Sequence, residues 1–402
     1  MNNRGTPQRK GSDAHIRRTL QQPIVKSSRE LKKEGRTRRY IAAHLGRMLA
    51  GVYAPNEAIN QLVTRSQHYR EIDAVERTRA AVARRKSGVA CGFSALALAG
   101  LRYFADQQPT VLRGSGAAST LRFLPDVPAL HALPSTKLIY LRERAPMKPG
   151  TTVTPDPYCA HIEAMHPWVA LAHVVRALER GQPIVDAQSI HVPPHLRHAA
   201  TFIRQVQVCD AVLRLLPPVP VGDERVLSLV KGVCELEVFM TLWRWADRGC
   251  ESPWESLMRL SLLKDVARWG CVYVTQVELW VDSTFVTTAD AVIIAQEDVQ
   301  LLRATRTRVG GAVRSALVLT SSESGVAPRA VGLMYDGRHH LDREQRDLDS
   351  RISSALHTAD FPVLRVTRQM IEDVDLLVRP LKAVARRVGI VVGGDGHTRS
   401  SA

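Results

Sequence analysis

The stretch that decides how the C-terminal half is read is GLMYDGRHHLDREQRDLDSRI, residues 332–352. A short apolar run closes on Tyr335-Asp336-Gly337, and Asp-Gly is a frequent turn pair. The histidines His339 and His340 follow, and then a strip of alternating acids and arginines from Asp342 to Arg351. Such a strip suits a helix with a salt-bridged, solvated face. The pattern is therefore strand, turn, helix, with an aspartate at the strand end. One explanation of that aspartate is chemistry at the strand end. The other is a plain turn ahead of a solvated helix.

Working back from this stretch, FVTTADAVII (285–294) and VYVTQVELWV (272–281) have the alternation of two strands and predict a hairpin. Pro253 opens a helix, WESLMRLSLLKDVARWG. Working forward, the pattern predicts a helix over 341–358, a strand at FPVLRVT (361–367) and a last helix over 370–388. Residues 297–330 read as a polar insertion around a helix. Asp290 interrupts an apolar strand, where an unpaired carboxylate would cost several kcal/mol, so a site is the natural explanation for it.

The N-terminal half is read from charge. The chain carries a net +16, and residues 1–50 hold 13 Arg and Lys against 3 Asp and Glu. Arginine outnumbers lysine 45 to 10, as a GC-rich genome would give, but codon bias does not cluster the charge. Clustering of this kind suggests a phosphate-rich partner, and DNA is the expectation. Residues 1–26 read as a flexible basic arm. Ser27 and Glu30 have capping-box spacing, Gly35 stops that helix, and Thr37 caps TRRYIAAHLG. RMLAGVY (47–53) alternates like a strand. Two short helices and a strand within 27–60 make a winged helix-turn-helix pattern, with Arg36, Arg38, Arg39 and Arg47 as its DNA-binding cations. A helical hairpin packed on the next domain is the bland alternative.

Between the halves, residues 57–86 look like a charged connecting helix, and a mixed domain runs over 61–216. PPVPVGD (217–223) is the clearest break, and 226–248 reads as helical. The six cysteines are scattered without a C-x-x-C pair and read as reduced thiols. No apolar run approaches the ~18 residues of a membrane span and no signal peptide is evident, so the expectation is a cytoplasmic chain with no membrane partner. HVPPHLRH, with His191, His195 and His198, lacks an acid or cysteine partner nearby and makes a weak metal site, and the group Cys159, His161 and His166 is similarly weak. RGSGAAST (113–120) lacks the lysine of a phosphate loop.

At ESPWESLMRL (251–260) the order of features resembles a known family. A helix with glutamate, a strand with aspartate, a strand ending in Y-D-G, a histidine, a charged helix and VLRVT is similar to the very-short-patch-repair-type endonuclease domains of the PD-(D/E)xK superfamily. The basic N-terminus, GVYAP at the wing and the SALALAGL helix resemble the abortive-infection type IV antitoxin-like N-termini fused to such domains. The resemblance implies an α/β, overall α+β, chain. It would have a winged helix, an antitoxin-like middle domain (61–216), a mixed sheet flanked by helices (226–390) and a disordered tail (391–402). It implies Glu255, Asp290, Asp336 and His340 as catalytic groups and Asp290 and Asp336 as Mg²⁺ ligands, and Arg343 and Arg346 of the charged helix suit bidentate contacts to the scissile phosphate. The family's last core strand has E-x-D-G, whereas this chain has Met334 in the glutamate's place, and methionine is no ligand for a hard cation. Two functions stay open. One is a Mg²⁺-dependent endonuclease of weakened activity. The other is a non-enzymatic DNA-binding regulator or antitoxin, with a cognate toxin and a relic nuclease fold.

Overall fold

A computed structural model describes residues 17–58, 72–85, 87–125, 133–142, 147–306, 313–320, 327–336 and 343–392. The chain is mixed α/β and divides into two compact units, residues 1–191 with 204–246, and 192–203 with 247–402. The expected endonuclease domain starts at 226, but the helices Glu224–Val230 and Leu236–Trp245 fall in the first unit.

The first unit begins with β1 (Lys26–Ser27), α1 (Ser28–Lys33), α2 (Arg38–His44), β2 (Leu45–Leu49) and β3 (Val52–Pro55). Ser27 caps α1 in a full capping box with Glu30, and Thr37 caps α2 through the Tyr40 amide, as the spacing predicts. RMLAGVY is not one strand. It folds back at Ala50-Gly51, where Gly51 takes φ 77°, and the three strands pair in the order β1-β3-β2. Only glycine adopts that left-handed turn at no steric cost.

The expected connecting helix is described over α3 (Ala74–Arg84), and its role differs from the prediction. Nearly every residue of it is buried, including Glu76, Arg77 and Arg79. Charge in the sequence pointed to solvent, but the charges are paired inside. Arg79 Nε and Nη2 grip both Asp156 oxygens at 2.7 and 2.9 Å, and Nη1 reaches Glu76 at 2.5 Å and the Gln21 carbonyl at 2.9 Å. Glu76 also accepts from the Ile24 and Val25 amides. Residues 17–26 of the expected flexible arm are therefore fastened to this unit. Arg17 donates to the Leu215 carbonyl, and Arg18 pairs with Asp73 and Asp106. Truncating Arg79 would leave two buried carboxylates without their cation. Arg79→Ala is expected to cost about 3–5 kcal/mol, read as a lower urea midpoint, whereas a midpoint unchanged within error would refute the staple.

Behind α3 lies a six-stranded sheet. Its strands are β4 (Val89–Ala90), β5 (Thr110–Gly114), β6 (Ser119–Arg122), β7 (Lys137–Arg142), β8 (Thr152–Val153) and β9 (Ala164–Met165), in the order β6-β7-β5-β4-β9-β8. The apolar helices α4 (Gly92–Leu98) and α5 (Pro167–Glu179) belong to the same core. The glycine loop of RGSGAAST packs against Arg85: a Cβ on Gly116 would lie 2.2 Å from the guanidinium, which stacks on Tyr140 at 4.4 Å. After α6 (Ala200–Leu215), the predicted single helical run over 226–248 is two helices, α7 (Glu224–Val230) and α8 (Leu236–Trp245). The break falls at Lys231–Glu235, with Gly232 at φ 81°.

The second unit holds α9 (Pro253–Arg268), β10 (Cys271–Val281), β11 (Thr284–Ala295), β12 (Leu302–Arg306), β13 (Val313–Leu319), β14 (Ala330–Asp336), α10 (Arg343–Thr358), β15 (Val363–Thr367), α11 (Arg368–Glu372) and α12 (Val374–Arg387). The strand order is β12-β13-β10-β11-β14-β15. Strand β11 is antiparallel to both β10 and β14, and β14 runs parallel to β15. The expected helical insertion 297–330 is instead the hairpin β12–β13, which extends the sheet beside β10. Arginines hide its strand character, and an edge strand tolerates them. The last helix is likewise two, split at Asp373, whose side chain caps α12. One sheet face packs on α9, α11 and α12 through Leu257, Met258, Leu262, Leu377 and Leu381. The other packs on α10 through Ile352 and Leu356. Among the described residues no helix is long and apolar enough to cross a membrane. All six cysteines are free thiols, five of them buried.

Candidate functional site

Two of the carboxylates singled out in the sequence meet. Glu255 lies in the first turn of α9, where Ser252 Oγ donates to its Oε1 at 2.9 Å and the Glu251 amide donates to its Oε2 at 2.8 Å. In return Ser252 Oγ accepts from the Glu255 amide, which caps the helix. Asp290 lies in β11, and its Oδ2 accepts from the Tyr335 amide at 2.6 Å. A third residue joins them: Gln276 of β10 donates to Glu255 Oε2 at 3.2 Å and also hydrogen-bonds Asp290.

The sheet is irregular at this level. The β10–β11 ladder pairs Thr275 with Ala291 and Val277 with Ala289, but skips Gln276 opposite Asp290. Gln276 takes φ 50°, a conformation rare for a side chain with a Cβ. The alternation changes phase there. Val272 and Val274 share a face with Val277 and Leu279, three residues on. Strand β11 changes with it, since Ala289, Val292 and Ile294 share that face. The register itself is kept across the break, with Gln276 and Asp290 left unpaired opposite each other. On the other side, the β11–β14 ladder ends at Ala291 and Leu333. The Asp290 carboxylate takes the next amide in place of a backbone carbonyl.

The electrostatics follow from burial. Burial first, then the Asp290 charge, pushes the Glu255 carboxyl well above its ordinary range. Burial also raises Asp290, from 3.8 to about 6, with Glu251 adding to the rise and Tyr335, Gln276 and Arg365 opposing it. Like charges close together in a low-dielectric site disfavour each other. Glu251, 3.3 Å from Arg314, completes an acidic corner. Trp254 stacks on Tyr335 with ring centroids 6.1 Å apart, and Arg368 lies 4.8 Å over Trp254.

Asp336 is at the end of β14, half-exposed, opposite Thr367. Among the described residues no three His, Cys, Asp or Glu side chains are grouped to hold a metal ion, so Glu255, Asp290 and Asp336 do not form one cluster. His340 lies outside the described residues. Arg343 and Arg346 open α10, but their side chains also lie outside what is described. The weaker histidine groups have structural duties. His195 Nε2 is 2.9 Å from Ser261 Oγ, and His166 Nδ1 accepts from the Trp168 amide to cap α5. Gln276 and Arg365 escaped the sequence reading. A lone glutamine within VYVTQVELWV and a lone arginine within VLRVT, each breaking an apolar strand, were the available signals.

In the first unit the predicted cations lie on one segment. Arg29, Lys32, Lys33, Arg36, Arg38 and Arg39 are all exposed on α1, α2 and the turn between them, and Arg47 is exposed on β2. Arg36 lies over the Tyr40 ring at 4.4 Å. Arg84, at the end of α3, donates to the Ala50 carbonyl at the hairpin turn.

No protein-family model, no curated protein and no solved structure matches the chain.

Proposed function

We propose that this chain is a DNA-binding protein whose second unit is a metal-dependent endonuclease of the PD-(D/E)xK kind. The observation that carries the reading is the buried pair Glu255 and Asp290, set where the sheet alternation breaks and the β11–β14 ladder opens. The order α9-β10-β11-β14-α10-β15, with its antiparallel, antiparallel and parallel pairings, supports it. The donor set fits a hard divalent cation. Two carboxylates present oxygen, with no thiolate or imidazole between them, and Mg²⁺ takes few protein ligands and keeps its waters. Glu255 and Asp290 would hold the ion, and Gln276 would turn its amide oxygen toward it. Bound there, Mg²⁺ would neutralise the phosphodiester and lower the pKa of the attacking water. The Tyr335 amide fixes the Asp290 carboxylate, and Ser252 with the Glu251 amide fixes Glu255. Asp336, His340, Arg343 and Arg346 remain candidates for the rim of this site.

DNA would be brought to the chain by the first unit, read as a winged helix. In this reading α2 is the groove-facing helix, with Arg38 and Arg39 at its N-terminal end. The hairpin turn is only Ala50-Gly51, and Arg84 beside it would supply a phosphate contact that a longer wing usually makes. Arg38→Ala with Arg39→Ala is expected to weaken duplex affinity about tenfold at low salt and to flatten the salt slope by roughly 2. Arg84→Ala should lower the slope by about 1. Mobility shifts across a salt series check this, and a salt slope unchanged in the double variant would overturn it. Cleavage of plasmid DNA in Mg²⁺ or Mn²⁺, absent from Asp290→Asn, tests the catalytic half.

A second reading is favoured by Met334 and by Asp336 standing apart from the acid pair. It is a regulator that binds DNA through the same helices, acts beside a cognate toxin and keeps the second unit as a scaffold.

A further inference from the structure

Two aromatic rings bracket the acid pair and carry a cation. Trp254 and Glu255 are consecutive in the first turn of α9, about 100° apart around the helix, so both can turn toward the sheet. The Glu255 carboxylate reaches back to the Glu251 amide and to Ser252, which puts it at the amino end of α9. From the sheet, Tyr335 gives its amide to Asp290, and its ring stacks on Trp254 with centroids 6.1 Å apart and 10° between the planes. Both rings pack against the core under α9. Arg368 lies on this stack, its guanidinium carbon 4.8 Å over the Trp254 ring. It follows Thr367, the last residue of β15, whose partner Asp336 is the last of β14. The guanidinium therefore stands where two parallel strands end, and open α/β sheets bind their ligands at the carboxyl ends of strands. The Arg368 side chain is 56% exposed. Among the described residues its one ion pair is loose, Nε to Glu372 at 3.5 Å, longer than the roughly 2.7–2.9 Å of a charge-assisted hydrogen bond.

We propose that Arg368, held on the Trp254 ring, binds the phosphodiester beside the Glu255–Asp290 pair. The proposal rests on the endonuclease reading and deepens it by naming the cation of the second unit that takes the substrate. Negative charge grows on the phosphate oxygens during attack, and a positioned cation on the side away from the metal balances it. A guanidinium donates two parallel hydrogen bonds to phosphate and stays charged. An aromatic ring attracts it through the ring face and offers no oxygen that would occupy its N–H donors. The stack also restricts a long side chain beforehand, so less freedom is lost when the phosphate binds. Glu372 is a weak competitor, since an exposed i,i+4 pair contributes little. Tyr335 ties the parts together, because its amide fixes the Asp290 carboxylate and its ring supports the one under Arg368.

The test uses the full chain and the p-nitrophenyl ester of thymidine 5′-phosphate, a single diester too small to span the basic helices of the first unit. Calorimetry first gives Mn²⁺ affinity alone, then diester affinity at saturating Mn²⁺, with a metal-free diester titration as baseline. Arg368→Ala is expected to weaken the diester about tenfold, with Mn²⁺ affinity unchanged, because Arg368 lies over Trp254 and touches neither acid of the pair. Arg368→Lys, which keeps the charge without the fork, should lose about threefold. Trp254→Leu should also lose about threefold in diester affinity at unchanged Mn²⁺ affinity, since Arg368 then lacks its ring. In turnover, Arg368→Ala should raise KM as well as lower kcat, because the contact exists before the chemistry. An exposed side chain is replaced, so the melting temperature should hold. Diester affinity equal in the native and Arg368→Ala chains overturns the proposal and leaves Arg368 a cover on Trp254. A native chain that binds Mn²⁺ but no diester overturns the proposal as well. A native chain that binds no Mn²⁺ overturns the endonuclease reading and the proposal together.

Discussion

Asp290→Asn is expected to stabilise the metal-free protein at pH 7 while abolishing its divalent-cation binding and any cleavage. Asp290 is buried, faces the charge of Glu251 and shares Gln276 with Glu255, so its folded-state pKa is raised from 3.8 to about 6. A carboxyl raised in this way favours the folded state in its protonated form. Its contribution is full below about 3.8 and is lost as pH climbs through about 6. A rise of that size corresponds to about 3 kcal/mol missing at pH 7, where the group is ionised. Asparagine keeps a carbonyl oxygen for the Tyr335 amide and removes the charge. The native chain should therefore melt higher at pH 5 than at pH 7 by several degrees, at roughly 2–4 °C per kcal/mol, and the asparagine variant should show a much flatter profile. Adding Mn²⁺ at pH 7 should raise the native melting temperature and leave the variant's where it was. Parallel melting profiles of the two proteins between pH 5 and 7 would mean that Asp290 is not the strained group.

Much of the second unit could be read from residue pattern, and the exceptions share a cause. The hairpin at 272–294, the helix opening at Pro253, the strand at 330–336 and VLRVT all form where period and caps place them. Periodicity works there because each element buries one face against a defined layer. It fails where a charge is satisfied internally. The buried α3 looked solvated because Arg77, Arg79 and Glu76 are charged, yet decisive partners lie far away in sequence, Asp156 being 77 residues on from Arg79. The hairpin β12–β13 looked like a polar insertion because it is rich in arginine and its strand β12 forms the sheet edge. The acid pair was half visible. A carboxylate amid apolar residues flagged Asp290, whereas Glu255 was named by the family resemblance alone, since a glutamate in a helix first turn has a structural use of its own. The break at Gln276 was hard to read, because a lone glutamine in an apolar strand does not announce a positive φ, and that break is what turns Asp290 toward Glu255. Sequence alternation alone would send Asp290 to the α10 face with Val292 and Ile294.

Met334→Glu has the largest expected gain. Met334 is half-buried, pairs with Arg365 of β15 and lies one step past the end of the β11–β14 ladder, at the position where the endonuclease family that the sequence resembles has glutamate. A carboxylate there would lie one strand spacing from Asp290 and one from Arg365, about 5 Å along the sheet each way. With Asp290 it would give a divalent cation a third hard ligand, and Mn²⁺ affinity is expected to rise about tenfold or more. Mg²⁺-dependent cleavage should rise with it. Without metal, the added charge joins an already acidic site. The cost would reach several kcal/mol if the carboxylate were unpaired, but Arg365 provides a partner on the same rung, so a loss of about 1–2 kcal/mol at pH 7 is expected, recovered when Mn²⁺ is added. The pairing can be measured. In Met334→Glu combined with Arg365→Ala the loss should exceed the sum of the single losses by about 1 kcal/mol or more, since the glutamate then has no cation. Additive losses would mean that residues 334 and 365 do not meet. A Met334→Glu chain that melts lower, binds no more Mn²⁺ than the native one and regains nothing on its addition would show that position 334 is core. The regulator reading, with the second unit as a scaffold, would then describe the protein better.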